Sequence, residues 1–199
     1  QMVGDRDTNG SPDGGFEKMF SFMDVVEIHP LDNICRKPEA LPNEREQGNA
    51  VFHWMQLMNL GYRMPGVVNT DAHYNFHGSG WLRNYIKSDV EDPTKASVSE
   101  LVHTCEHGNI MMTNGPFLEV KAAAERDGDT ADVGDDLIAP GGKLALKVRV
   151  QCPNWLKVNR VQVFINGVAE PGANFTKRTH ADMFPSKTVA FEQTIPITL

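Results

Sequence analysis

The apolar residues change period along the chain, and that switch limits the fold more than any single motif. Leu144, Leu146, Val148 and Val150 alternate with Lys, Ala and Arg, and Val161, Val163 and Ile165 alternate again before Asn166-Gly167. Period two marks a half-buried strand, and Asn-Gly is a strong two-residue hairpin turn. Phe191 to Leu199 alternates in the same way. Residues 142–199 are therefore expected to form an Ig-like β-sandwich of antiparallel strands, with Trp155 and Phe164 in its core.

Upstream the rhythm differs. Val25, Val26 and Ile28 form a compact apolar run that Pro30 stops. Between Glu44 and Leu60, Val51, Trp54, Met55 and Met58 recur at helical spacing, and Gly61 stands where a C-cap would. Val67-Val68 is a second short apolar run. Strand, helix, strand implies a βαβ unit on a parallel sheet, with functional loops after the strand C-termini. A second helix is expected over 97–107, with Ser97 capping and Glu100 three residues on, followed by a strand at 110–113. The fold class is thus α/β followed by all-β. Residues 1–19 read as an irregular segment, 20–121 as the α/β part, and 122–141 as an acidic connector, with the domain boundary inside 121–140.

Composition removes several function classes. Acids outnumber bases 26 to 19, for a net charge of -7, so no nucleic-acid partner is expected. No run of ~18 apolar residues could span a membrane. Three cysteines without CxxC spacing form neither a disulfide scaffold nor a structural zinc site. There is no GxxxxGK[ST], GxGxxG or GxSxG, and Asp127-Gly-Asp129-Thr-Ala-Asp132 lacks the Gly and final Glu of an EF-hand loop. Gln1 opens the chain without a signal sequence, and both ends read as cut from a longer protein. A soluble chain is expected, its compartment open and export of the full-length protein allowed for.

The densest chemistry lies in Asp71-Ala-His73-Tyr-Asn-Phe-His77 and the Gly-rich stretch Gly78–Tyr85 after it. A carboxylate and an imidazole two residues apart at a strand end point the same way and suit zinc or manganese. Read alone, Asp-x-His equally describes a capped polar turn with a solvated histidine. Glu27 and His29 end the other strand and would reach the same rim, as ligands or as groups orienting one. A buried Glu27 paired with an arginine is the competing reading. His77 is a further ligand or an acid, or simply an exposed loop histidine. Arg83 suits an anionic group or a structural ion pair. His103 and His107 stand one helical turn apart without the Glu of HExxH, which favours a solvated face, and His53 reads as structural.

The order of these features resembles the C-terminal part of a PHP (polymerase and histidinol phosphatase) superfamily metallohydrolase. The residues that carry it are Val26-Glu-Ile28, Leu57-Met-Asn-Leu-Gly-Tyr-Arg63, Val67-Val-Asn-Thr-Asp-Ala-His73, Gly78-Ser-Gly-Trp-Leu-Arg-Asn-Tyr85 and His107-Gly-Asn-Ile-Met-Met-Thr-Asn-Gly-Pro-Phe117. The carbaryl-hydrolase-like branch, with a β-sandwich tail, is the most similar. The resemblance spans about residues 20–199. It implies the last βα units of a distorted (β/α)7 barrel, with Asp71 and His73 on a divalent metal, zinc or manganese, and Glu27 near the site. It also implies hydrolysis of a phosphate or related ester or amide by the intact enzyme, with Arg83 and His77 as catalytic candidates.

The family opens with His-x-His, and none of the seven histidines here stands in that arrangement. The resemblance therefore implies a partial ligand set and a chain that is inactive alone and need hold no metal. Its partners would be the missing N-terminal half, a small-molecule ester and, across the broken barrel edge, a second copy. A different function class also fits the residues: a non-catalytic surface or carbohydrate-associated module, in which the sandwich binds a partner.

Overall fold

The computed structural model of the chain describes residues 23–28, 50–75, 78, 80–126 and 128–199. In its first half, β1 (Val26–Glu27) pairs in parallel with β2 (Gly66–Val67), and α1 (Ala50–Asn59) lies between them in sequence. This is the expected strand, helix, strand order. Val51 and Leu57 are the buried residues of α1, whereas Met58 is exposed, so the apolar stripe is turned slightly from the expected one. The Trp54 indole N–H donates to the Met64 carbonyl at 2.8 Å and fixes the helix on the chain leading into β2. Ile28 and Val68 are almost fully buried and join Val26, Val51, Leu57, Met64 and Leu82 in one apolar cluster. Gly66 has no room for a side chain, since a Cβ there would stand 2.9 Å from Ile28 Cγ1.

An antiparallel ribbon of β3 (Arg83–Ile86) and β4 (Ile110–Thr113) follows, with α2 (Val98–His107) between its strands. The Ser97 hydroxyl accepts from the Glu100 N–H, and Gly108 closes α2 in the left-handed conformation, as the sequence suggests. None of the α2 residues is fully buried, and Val98 and Val102 face solvent. Arg83–Tyr85, expected in a Gly-rich loop, are instead strand. Pairing with β4 is the reason, and the Asn84 side chain, which accepts from the Val68 N–H and donates to the Val68 carbonyl, ties this strand to the chain after β2.

The second half is all-β. Strands β5 (Phe117–Ala124), β6 (Thr130–Asp132), β7 (Lys143–Gln151) and β10 (Val189–Thr198) form an antiparallel sheet of order β10-β7-β5-β6. A hairpin of β8 (Arg160–Ile165) and β9 (Val168–Thr176) packs on it, turning at Asn166-Gly167 with both φ angles positive. Only a three-residue 3-10 turn at Ala181–Met183 interrupts the strands beyond 142. The strands expected over 142–199 are antiparallel as expected, but the larger sheet takes β5 and β6 from before residue 142. The core joins Val148, Val150, Phe191, Ile195 and Ile197 of the large sheet to Ala173, Val161, Val163, Ile165 and Phe175 of the hairpin.

Two expectations for this half are corrected. Trp155 lies in the turn after β7 and is 80% exposed, so it contributes nothing to the core, while Phe164 is half-buried on the hairpin face opposite Val163. The segment read as a connector over 122–141 carries the end of β5 and all of β6. The sheet thus begins at Phe117, before the expected boundary. Ala122, Ala123 and Ala124 are weak strand formers, but pairing with Leu146, Ala145 and Leu144 overrides that preference.

The acids of that segment pair with side chains of the first half. Lys87 pairs with Asp132 at 2.8 Å, His107 with Asp135 at 3.2 Å and Arg63 with Asp136 at 3.0 Å. Gly108 and Gly134, both at positive φ, meet backbone to backbone: a Cβ on Gly134 would lie 2.4 Å from the Gly108 carbonyl carbon. Gly134→Ala is therefore expected to cost about 1–3 kcal/mol through strain and forced separation. Urea unfolding measures it, and a change within 0.5 kcal/mol, roughly that of an ordinary surface substitution, would contradict this packing.

Candidate metal centre

Parallel pairing brings the ends of β1 and β2 to one rim, and a chain of hydrogen bonds runs along it. Glu27 Oε1 accepts from the Asn69 side-chain amide, whose own oxygen accepts from the Asp71 N–H at 2.7 Å. The His73 Nδ1 then lies 2.5 Å from the Asp71 carbonyl oxygen and 3.4 Å from Asp71 Oδ1. Glu27, Asp71 and His73 are all exposed. A shared rim was expected for these three; Asn69 ties the Glu27 carboxylate to the backbone of Asp71 rather than to its side chain.

The backbone is bent to make this possible. Asp71 has φ 46°, a left-handed conformation uncommon outside glycine and tolerated best by Asp and Asn. The bend turns the chain so that the imidazole of the second residue on reaches back to the Asp71 carbonyl. With Nδ1 donating to that carbonyl, the imidazole lone pair lies on Nε2, the tautomer of a histidine that ligates metal through Nε2. The Tyr74 ring packs against the imidazole with centroids 4.3 Å apart. The donor set of carboxylate oxygens and one imidazole nitrogen fits zinc or manganese. Among the described residues, no three His, Cys, Asp or Glu side chains stand close enough to one another to hold an ion.

The remaining candidates fall elsewhere. Arg83 begins β3, and its guanidinium donates to the Gly80 carbonyl at 3.1 Å, closing the loop before the strand. His77 and His29 lie outside the described residues. His103 and His107 lie on the solvated face expected of them, His103 beside Glu106 at 2.9 Å and His107 beside Asp135 at 3.2 Å. At that interface the Lys87 ammonium holds the Asp132 carboxyl below its usual range, and the Asn109 amide does the same for Asp135. Burial pushes the Cys105 thiol up, away from a reactive thiolate.

Asn69 and Asn84 are the site residues the sequence reading missed. Asn69 stands two residues before Asp71 at a strand end, where an Asn side chain readily caps a following N–H, and that spacing was the available signal. Asn84 gave none, because strand mimicry by a side chain leaves no pattern. No helix among the described residues is long and apolar enough to cross a membrane. Compared with known proteins, the chain matches no family model, no curated protein and no solved structure at a significant level.

Proposed function

We propose that the chain is the C-terminal part of a PHP-type metal-dependent hydrolase acting on a phosphate ester or a related ester or amide. One observation supports the reading: the Glu27–Asn69–Asp71–His73 chain of contacts after the ends of a parallel strand pair, with the His73 Nδ1 against the Asp71 carbonyl oxygen. Asp71 and His73 would hold zinc or manganese, with Glu27 ligating or orienting them through Asn69. The bound ion would supply an activated water and polarise the scissile group. The part of this chain is to fix ligand direction and, through Arg83 released from Gly80, to steady developing negative charge.

A catalytic zinc wants about three protein ligands and a cluster wants more. The rest would come from an upstream half of the same protein, carrying a His-x-His and the strands that complete a barrel around β1 and β2. The exposed Val98 and Val102 of α2 suit a helix that packs against such a neighbour or a second copy. The test is hydrolysis of phosphomonoesters and phosphodiesters with added manganese or zinc, by the protein carrying its upstream residues. Turnover that Asp71→Asn removes is expected. Turnover indifferent to that substitution, or none with any ester or amide tried, would contradict the proposal.

A further inference from the structure

The net negative charge is unevenly divided. Residues 143–199 hold eight Lys and Arg against three acids, whereas the rest of the chain holds 11 against 23. A split of this kind points to a polyanionic surface as partner of the basic part.

Register shows where the cations gather. Gln151 at the end of β7 faces Val189 at the start of β10, and Arg160 at the start of β8 faces Thr176 at the end of β9. The loops 152–159 and 177–188 therefore close the same end of the two sheets. The Cys152 N–H donates to the Thr188 carbonyl and the Lys177 N–H to the Asn159 carbonyl, both at 2.8 Å. These loops carry Lys157, Lys177, Arg178 and Lys187, with Arg160 beside them, all exposed, against one acid, Asp182. Among the described residues, none of the five cations has a carboxylate within ion-pair distance. The stretch Thr113–Phe117, which closes this end before β5, carries no charge. Glu119 and Glu192, two register positions in, are both held by Arg149, and the surplus stays positive with those three groups included. Asp132 pairs with Lys121, which faces Lys147, four residues in from Gln151. Four strand residues span about 13 Å, beyond the screening length of about 8 Å at physiological salt.

The same end carries an apolar tip. Trp155 is 80% exposed, and Leu156 next to it lies over Gly115 and is still 38% exposed. An indole prefers the boundary between water and lipid, and cations beside it add attraction to anionic headgroups. Phosphate contacts along a nucleic acid would leave the indole unused, whereas a lipid interface uses both features.

We propose that this end of the sandwich docks on an anionic phospholipid surface. Trp155 enters the headgroup layer, and the five cations rest on the lipid phosphates and carboxylates. The inference is independent of the metal centre.

The test is sedimentation of the chain with vesicles of phosphatidylcholine alone or mixed equally with phosphatidylserine. Binding is expected only to the mixed vesicles and should weaken as salt is raised. Lys177→Gln and Arg178→Gln should each weaken it about fivefold, the scale of one cation near an anionic leaflet. Trp155→Ala should weaken it too, and should remove the blue shift of tryptophan emission that mixed vesicles produce in the parent. All three side chains are exposed, so the variants should melt with the parent; weaker binding at unchanged melting supports the surface. No binding to the mixed vesicles, equal binding to phosphatidylcholine alone, or binding indifferent to the two cation variants would overturn the proposal. So would binding indifferent to Trp155→Ala, or a single-stranded oligonucleotide held more tightly than the vesicles, which would mark a nucleic-acid face instead.

Discussion

Phe191→Ala is expected to lower the unfolding free energy by about 3–5 kcal/mol, the usual cost of emptying a buried phenylalanine site. Phe191 is wholly excluded from solvent, and its ring lies 5.2 Å from that of Phe184 and 5.8 Å from that of Phe175. It therefore joins β10, the hairpin and the turn before β10 in a single contact. β7 on one side and the hairpin packed over it hold the site's walls, so the cavity cannot readily collapse. Domains of this kind have only about 5–15 kcal/mol in all, so the loss is a large fraction of the total. Urea denaturation followed by far-ultraviolet circular dichroism measures it. A loss below about 1 kcal/mol would mean that the hairpin does not pack on the large sheet as described.

Asp71→Asn should have the largest effect on activity. In the protein with its upstream ligands, hydrolysis is expected to fall at least ~100-fold, the upper end of what losing an outer partner of a ligand costs. The amide keeps the size of the carboxylate and can keep the turn, so folding should be little changed while the charge that holds the ion is lost. Asn69→Ala should act more gently, roughly tenfold, because it removes the link between Glu27 and the Asp71 backbone without removing a ligand. Metal content and turnover measured together separate the two. Equal losses in both variants would mean that Asn69 shapes the turn itself rather than the aim of Glu27.

The features legible in the sequence are those written in local patterns. Ser97, Glu100 and Gly108 mark both ends of α2, Asn166-Gly167 marks the hairpin, and alternation in Leu144–Val150 marks β7 and its buried face. The parallel meeting of β1 and β2 followed from their order, and with it the approach of Glu27 to Asp71 and His73. Long-range contacts were not legible. Ala122–Ala124 form strand because Leu144 and Leu146 lie opposite, and the acids of 132–136 became interface groups because Lys87, Arg63 and His107 meet them. Trp155 misled for a simpler reason: size and apolarity favour burial, but it falls in a turn. Asn69 could have been found from its spacing; Asn84 could not.

The proposed function rests on Asp71 and His73 as ligands of a divalent metal, with Glu27 tied to the Asp71 backbone through Asn69. Calorimetric titration of the chain with manganese tests it most directly, because manganese favours carboxylate and imidazole donors over thiols. Weak binding of a single ion is expected, lost on dialysis and abolished in both Asp71→Asn and His73→Ala. Stoichiometric manganese retained through dialysis would show that the centre is complete without further ligands, and binding unchanged by either substitution would show that the rim is not the site.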